Sequence, residues 1–368
     1  MTTINPESAE LPKWDLTLPS IAAVYDGKFL IGNIMEPAQT ADEATTAMFN
    51  HHYNSVTAEN AMKPANLSPA KGEYDYRQAD MIIAWAEANG IPVHGHTLVW
   101  HSQSAVWLTT DGEGNALAYE EAKANMEDYI SNVAAHFAGH VTSWDVVNEA
   151  FGNSVDFTGG WKDGLRTDSP WYLAYANGGN AWEFIYDAFK LARRYDPAAT
   201  LYYNDFNEQE AGKSQAICAM VTELNAQWEA DHDYDGCMLV EGIGMQSHHN
   251  TGIFKIEDFR AAMERYIATV AVVSLTELDI TVGPADPYPL GETLSKEDEL
   301  LQAKLYAQIF DALGDYAEYI ERVTFWAKAD SQSWRGGRLP GLFDGMFAAK
   351  ESFNAVIDPG GYLTEDRF

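Results

Sequence analysis

Short runs of β-branched and aromatic residues alternate with longer amphipathic segments along almost the whole chain. This alternation is typical of parallel strands joined by crossover helices. It predicts eight strands, at Phe29–Met35, Tyr53–Glu59, Pro92–Val99, Val141–Asn148, Thr200–Asn204, Gly242–Ser247, Val272–Asp279 and Val323–Ala329. The predicted helices are Asp42–His51, Tyr76–Ala88, Tyr119–Ala138, Trp182–Tyr195, Ser214–Glu229, Ile256–Thr269, Glu297–Tyr316 and Phe347–Ile357.

The strand–helix units follow one another without a Pro-, Gly- or Ser-rich linker, a low-complexity tract or a run of charge. The sequence therefore predicts an α/β fold, a single closed (β/α)8 TIM barrel. We expect residues 1–28 to form an N-terminal lead-in segment, residues 29–357 the catalytic barrel and residues 358–368 a C-terminal tail. An open doubly wound sheet would need a glycine-rich phosphate-binding turn after an early strand, and the sequence has none.

Composition and charge narrow the range of partners. With 46% hydrophobic and 12% aromatic residues among 368, the chain is globular rather than disordered. Lys and Arg number 23 against 55 Asp and Glu, a formal charge of −32, so a basic face for nucleic acid is not expected. The longest apolar runs fall short of the roughly 18 residues of a membrane-spanning helix, and no membrane partner is expected.

The N-terminus and the cysteines bear on the cellular location. The first twenty residues lack the basic start and apolar stretch of a secretory signal. We therefore expect a cytoplasmic protein, or a secreted one if a signal has been removed. Cys218 and Cys237 are too few for a disulfide framework, and two reduced thiols are favoured over a single bridge.

Polar, charged and indole side chains concentrate at the predicted carboxyl ends of the strands, where barrels of this kind carry their chemistry. Their density exceeds what a structural rim requires, so we predict an active site there. The residues are Glu59, Asn60, Lys63, His96, Trp100, Gln103, Asn148, Glu149, Asn204, Gln246, His248, Glu277, Asp279, Trp326 and Trp334.

Two of these residues, Glu149 and Glu277, would face each other across the barrel mouth. Paired carboxylates flanking a cleft are what glycosidic bond cleavage needs. For either glutamate alone, a structural ion pair at the rim is an equally good interpretation. The neighbours favour catalysis, because the Asn148 amide can hold a sugar hydroxyl and His248, between two carboxylates, can fix the ionisation of a nucleophile. Tryptophan faces at the same mouth indicate a neutral, polyhydroxylated substrate.

Seven ordered motifs resemble those of glycoside hydrolase family 10 endo-1,4-β-xylanases, over about residues 29–355. The resemblance implies hydrolysis of internal β-1,4-xylosidic bonds in xylan and xylo-oligosaccharides, with retention of configuration through a covalent glycosyl-enzyme and with no metal or other cofactor. The motifs are TAENAMK (57–63), GHTLVWH (95–101), WDVVNEA (144–150), YYND (202–205), GMQSH (244–248), TELD (276–279) and TFW (324–326) followed by Trp334.

The resemblance also implies a role for each residue. Glu149 is the general acid/base and Glu277 the nucleophile, and retaining enzymes hold these carboxylates ~5–5.5 Å apart. His248 and Asp279 support the nucleophile, and Asn148 contacts the 2-hydroxyl of the sugar under attack. The implied substrate-binding residues are Glu59, Asn60, Lys63, His96, Trp100, Gln103, Asn148, Asn204, Gln246, Trp326 and Trp334.

The chain departs from the family pattern on the leaving-group side of the expected cleft. Phe206 stands where the family commonly has a tyrosine after the Asn-Asp pair. The loop from Phe151 to Asn180 is long and aromatic, with Trp161 and Trp171. The chain-length preference on that side stays open.

Two alternatives from other functional classes remain. In a metal-dependent barrel hydrolase, His94, His96, a histidine at 248 or 249 and Asp330 would hold zinc. That arrangement would need its paired histidines on the first strand and further ligands on the middle strands. A non-catalytic xylan-binding barrel is the second alternative. Metal content tests the first, and turnover of a xylo-oligosaccharide tests the second.

Overall fold

Parallel strands form a closed ring in the computed structural model, which describes residues 13–283 and 293–364. Each ring strand pairs in parallel with the next along the chain, and the last pairs back with the first, which confirms the predicted barrel. The ring strands are β1 Leu30–Met35, β2 Ser55–Ala58, β3 Val93–Trp100, β4 Ser143–Asn148, β5 Thr200–Asp205, β6 Gly242–Met245, β8 Val272–Thr281 and β9 Ile320–Phe325, and a short strand, β7 His248–Asn250, pairs with the end of β8.

Helices cover the outside of the ring. Several begin and end at residues whose chemistry favours a boundary: Asp42 caps one helix by accepting from the backbone N–H of Thr45, and Gly90 ends another with φ 67°. The helices are α1 Ile21–Val24, α2 Glu43–His52, α3 Pro64–Leu67, α4 Arg77–Asn89, α5 Tyr119–Phe137, α6 Pro170–Ala176, α7 Glu183–Tyr195, α8 Ala211–Glu229, α9 Ile256–Ile267, α10 Lys296–Asp315, α11 Glu351–Ile357 and α12 Pro359–Thr364.

Three predicted elements had boundaries that were wrong for identifiable reasons. The strand predicted at Gly242–Ser247 ends at Met245, because Ser247 has a left-handed φ of 59°. The helix predicted at Phe347–Ile357 begins at Glu351, because Phe347 has φ 70°. The strand predicted at Val323–Ala329 runs over Ile320–Phe325 instead. Glu321 and Arg322 are charged and lie near its start, so the pattern of apolar residues did not mark that start.

The lower interior of the barrel is polar. The Arg322 guanidinium is buried and donates to Ser143 Oγ at 3.1 Å, and the His94 ring lies 2.8 Å from the same hydroxyl. The Tyr202 hydroxyl donates to the Glu321 carboxylate at 2.6 Å. These hydrogen bonds join side chains of different strands, so the floor beneath the barrel mouth is held by hydrogen bonds as well as by packing.

The first and last segments within the described ranges lie against neighbouring helices. Ser20 Oγ donates to the carbonyl of His51 at 2.5 Å, and Tyr25 donates to the carbonyl of Val356 at 2.6 Å. Helix α12, in the segment predicted as a tail, packs against α10 and α11 and buries Tyr362. The division at residues 28 and 358 stays a prediction, and its residues 1–12 and 365–368 lie outside the described ranges. Within those ranges, no helix combines the length and apolarity needed to cross a membrane.

Candidate active site

A cleft of about 640 Å³ opens at the carboxyl ends of the strands. It brings together almost all of the candidate residues, and two of them, Asn204 and Asp279, lie buried beneath it. The lining residues are Glu59, Asn60, Lys63, His96, Trp100, Gln103, Asn148, Glu149, Phe206, Asn207, Gln246, His248, Glu277, Trp326, Trp334 and Arg335.

Glu149 follows the last residue of β4 and enters the cleft from a left-handed backbone, with φ 57°. Its N–H donates to the carbonyl of Asn204 at 2.9 Å, which ties the turn to β5. Its carboxyl Oε1 accepts from the Gln246 amide at 2.8 Å, and His101 Nδ1 lies 3.7 Å from Oε2. Burial and the nearby Arg166 lower the pKa of His101 to about 4, so Glu149 faces neutral partners.

Glu277 lies on β8 and is surrounded by donors. Its Oε1 accepts from the Asn204 amide at 2.8 Å, and its Oε2 lies 3.2 Å from His248 Nε2. The other His248 nitrogen, Nδ1, lies 3.0 Å from Asp279 Oδ1. Burial alone would lower the pKa of His248, but the Asp279 and Glu277 carboxylates outweigh it and raise that pKa to about 9. Glu277 therefore faces a cation at neutral pH.

Asp279 is held by the loop that follows β9. It accepts from the Trp334 indole at 2.9 Å, and Arg335 Nη2 lies 3.0 Å from its Oδ1. Burial would raise the pKa of Asp279, but His248 and Arg335 lower it below its usual value. Arg335 was not among the candidates, although two carboxylates on one strand signal the need for a nearby cation.

One end of the cleft is a hydrogen-bonded group of polar side chains. Lys63 Nζ donates to Asn60 Oδ1 at 3.0 Å and to Gln103 Oε1 at 2.8 Å, and lies 5.1 Å from the centre of the Trp100 ring. The Asn60 amide donates to Glu36 at 2.7 Å. Glu36, which was not among the candidates, fixes the orientation of Asn60 from the end of β1.

Glu59 lies at the same end, beside a buried lysine that was also missed. Burial raises the pKa of Glu59, and the positive charge of Lys328 opposes the rise. Lys328 donates to the carbonyl of Ile34 at 2.9 Å, and burial lowers its pKa to about 8. Carboxyl and ammonium groups therefore lie close together at this end of the cleft.

Residues 20–359 match the family model described as Glycosyl hydrolase family 10. The chain belongs to this family. The family expected from the seven motifs is therefore confirmed.

Similar proteins match the chain along almost its whole length. Endo-1,4-beta-xylanase B of Paenibacillus barcinonensis is 33% identical over 349 residues, spanning 92% of this chain and 98% of that protein. An endo-1,4-beta-xylanase of Geobacillus stearothermophilus is 32% identical over 357 residues, spanning 93% and 99%. The solved structure of a psychrophilic glycoside hydrolase family 10 endo-beta-1,4-xylanase superposes with a TM-score of 0.81 at 36% identity, covering 92% of this chain and 99% of that one.

The family 10 barrel does not assemble the zinc ligands of the metal-dependent alternative. His94 lies on the floor, where its Nε2 is 3.0 Å from Asp145. Asp330 forms a buried ion pair with Lys350 at 2.9 Å. His249 packs against Phe254, and burial lowers its pKa to about 3. Each of these side chains is engaged away from a common centre.

On the expected leaving-group side, the aromatic loop contributes packing rather than an open platform. Trp161 and Trp171 are both buried, and Trp161 donates to the Glu223 carboxylate at 2.6 Å. Phe206 does line the cleft, with Lys213 Nζ 4.1 Å from its ring centre. Phe206 is therefore an aromatic residue of the expected leaving-group side that reaches the cleft.

Proposed function

We propose that the protein is an endo-1,4-β-xylanase that hydrolyses internal β-1,4-xylosidic bonds of xylan and xylo-oligosaccharides with retention of configuration. One observation carries the proposal: Glu149 and Glu277 share a cleft but have different electrostatic partners. Glu149 contacts the neutral Gln246 amide, whereas Glu277 lies beside the cationic His248. Such a difference separates the acid from the nucleophile in a carboxylate pair. Membership of family 10 supports the same reaction.

In the first step of the proposed reaction, a Glu277 carboxylate oxygen attacks the anomeric carbon. The bond to the leaving oxygen breaks as the Glu149 carboxyl donates its proton to that oxygen, which leaves a xylosyl ester on Glu277. In the second step, the Glu149 carboxylate takes a proton from water, and the water oxygen attacks the anomeric carbon. The ester bond breaks, the Glu277 carboxylate re-forms and Glu149 is again protonated.

The supporting residues contact the nucleophile from two sides. His248 and the Asn204 amide each contact one oxygen of the Glu277 carboxylate, and so fix its orientation in the cleft. Asp279 keeps His248 protonated from the opposite side of the ring. We infer that Asn204, which lies beneath the cleft, acts on Glu277 rather than on the sugar.

The remaining lining residues bind the sugar chain. We infer that Asn148 contacts the 2-hydroxyl of the sugar under attack. Lys63, Asn60 and Gln103 would bind hydroxyls further along the glycone half, held in place by their mutual hydrogen bonds. The other proposed sugar-contacting residues are Glu59, His96, Trp100, Gln246, Trp326 and Trp334.

Proton NMR of the first product tests the reaction. Incubation with xylohexaose should release shorter oligosaccharides, and the first anomer to appear should be β. Immediate formation of the α-anomer would contradict the mechanism, and the absence of turnover would favour the sugar-binding alternative. Soluble oligosaccharides are expected to be better substrates than insoluble xylan.

The leaving group separates the roles of the two glutamates. Glu149→Ala should reduce hydrolysis of xylan by about 10²–10⁴-fold, since an alkoxide needs protonation to depart. On an activated aryl xylobioside, the same variant should release a burst of phenol and then turn over slowly. Azide should accelerate that slow phase and yield a β-glycosyl azide.

Glu277→Ala serves as the contrasting variant. It should abolish activity on both substrates, because a good leaving group does not replace a nucleophile. Equal losses in the two variants on both substrates, without a burst or an azide response, would show that Glu149 is not the acid/base.

A further inference from the structure

The two glutamates of the cleft are connected through a single short turn. Gln246, at its start, donates to Glu149 Oε1 at 2.8 Å. His248, at its end, lies 3.2 Å from Glu277 Oε2. Ser247 stands between them with a left-handed φ of 59°. A rotation of the Ser247 backbone would therefore move the partners of both carboxylates at once.

Ser247 is held from both sides by hydrogen bonds, one to strand β8 and two to the turn that follows β5. Its carbonyl accepts from the N–H of Asp279 on β8 at 3.3 Å. Its N–H and its hydroxyl both donate to Glu208 Oε1, each at 3.1 Å. Non-glycine residues rarely occupy this backbone region, and they persist there only when their surroundings hold them.

Glu208 is fully buried in the turn between β5 and α8. Its backbone is fixed as well, since Tyr266 donates to its carbonyl at 2.7 Å. Its second carboxyl oxygen, Oε2, has no hydrogen-bond partner among the described residues. Burying a carboxyl oxygen without a hydrogen bond costs free energy. Glu208 therefore interacts with its surroundings through Oε1.

We propose that Glu208 is a positioning residue of the active site: it holds the Ser247 backbone so that Gln246 and His248 meet Glu149 and Glu277 together. The inference rests on the proposed hydrolase function and extends it to a side chain that does not line the cleft. It holds in either protonation state of Glu208. Burial raises the pKa of this carboxyl to about 7, and a proton on the unpartnered Oε2 still leaves Oε1 as an acceptor.

Three substitutions separate positioning from packing. Glu208→Gln keeps an acceptor oxygen in the same place, Glu208→Met fills the same space without an acceptor, and Glu208→Ala removes both. Glu210→Ala is the matched control, because Glu210 lies in the same turn and its side chain makes no capping hydrogen bond to α8. Each variant is assayed for kcat and KM on xylohexaose and on an aryl xylobioside, beside its thermal unfolding midpoint.

The Ala and Met variants should lose about 10- to 100-fold in kcat on both substrates, since misplacement by ~1 Å of groups around the chemistry costs about that much. Their KM values should stay within about twofold, because the sugar-binding side chains are untouched. The Gln variant and the Glu210→Ala control should stay within about threefold of the parent in kcat.

Several results would overturn the inference. A positioning role is excluded if the Met variant keeps the kcat of the parent protein. It is also excluded if the Gln variant loses as much kcat as the Met variant, or if the variants change KM rather than kcat. Failure of both acceptor-free variants to fold would show that Glu208 serves the fold alone. If the parent protein itself does not hydrolyse xylohexaose, the proposed function fails before the variants are compared.

Discussion

The charge on His248 should be measurable as a pH-dependent part of the folding stability. In the folded protein its pKa is raised to about 9, because the Asp279 and Glu277 carboxylates flank a buried ring. In the unfolded chain the pKa is about 6.5. Since the folded value is the higher one, the stabilisation is complete below pH 6.5 and is lost as the pH rises through 9.

The size of the effect follows from the shift. From 6.5 to about 9, at about 1.4 kcal/mol per pKa unit, His248 contributes about 3 kcal/mol to the free energy of unfolding. Urea unfolding followed by tryptophan fluorescence, at intervals from pH 6 to 10, measures it. The stability difference between the parent and His248→Gln should shrink by about that amount over the range, and groups common to both proteins cancel in the difference.

The adjacent histidine provides a control of opposite sign. Burial lowers the pKa of His249 to about 3, so its contribution is lost as the pH falls below 6.5 and does not change between pH 7.5 and 10. The free energies of unfolding of His249→Gln and of the parent protein should therefore differ by a constant amount between pH 7.5 and 10. If the His248→Gln difference is also constant from pH 6 to 10, His248 is not cationic in the folded protein, and the stated support for Glu277 is wrong.

Three further predictions concern stability and metal. Asp330→Asn should reduce the free energy of unfolding by about 3–5 kcal/mol, because it leaves Lys350 charged and buried without its partner. A loss below about 1 kcal/mol in urea unfolding would contradict this prediction. Exhaustive dialysis against a chelator should leave the turnover number unchanged, whereas activity lost and then restored by zinc would favour the histidine-based alternative. Raising NaCl from about 10 mM to about 1 M should raise the thermal unfolding midpoint, because salt screens the repulsion within a chain of net charge −32. A midpoint that falls with salt in calorimetry would show that this repulsion does not limit the stability.

The strands next to the two glutamates were predictable from sequence because β-branched, aromatic and other apolar residues recur along them. Strand β4 ends at Asn148 as predicted, and the predicted Val272–Asp279 lies within the observed β8. Parallel strands that are buried on both faces are rich in Val, Ile and Leu, and this enrichment is the signal in the sequence. A polar residue at their carboxyl end is then placed at the barrel mouth by the fold alone.

Short helices were missed although the sequence carried a signal. Helices α3, α6 and α12 begin at Pro64, Pro170 and Pro359, and proline at the first helical position is favoured because it lacks only an N–H that has no partner there. They are too short to show a hydrophobic period. Proline was therefore a local feature that marked all three of these helices.

The missed site residues have a different cause. Glu36 is recognisable through its contact with Asn60, Arg335 through Asp279, and Glu208 through Ser247. In each pair the partners come from neighbouring strand–helix units, and the pairing of the two strands brings them together. The hydrogen bonds that give these residues their importance do not exist in any local segment.

Ring closure by the pairing of β1 with β9 has a consequence for refolding experiments. Glu149 follows β4 and Glu277 lies on β8, and these two strands face each other only across the mouth of the completed ring. A partly assembled barrel can hold most of its helices and still have no facing carboxylates. Recovery of enzymatic turnover after dilution from urea should then lag behind the recovery of the far-ultraviolet circular dichroism signal. The lag time would report the final joining of the two edges of the sheet.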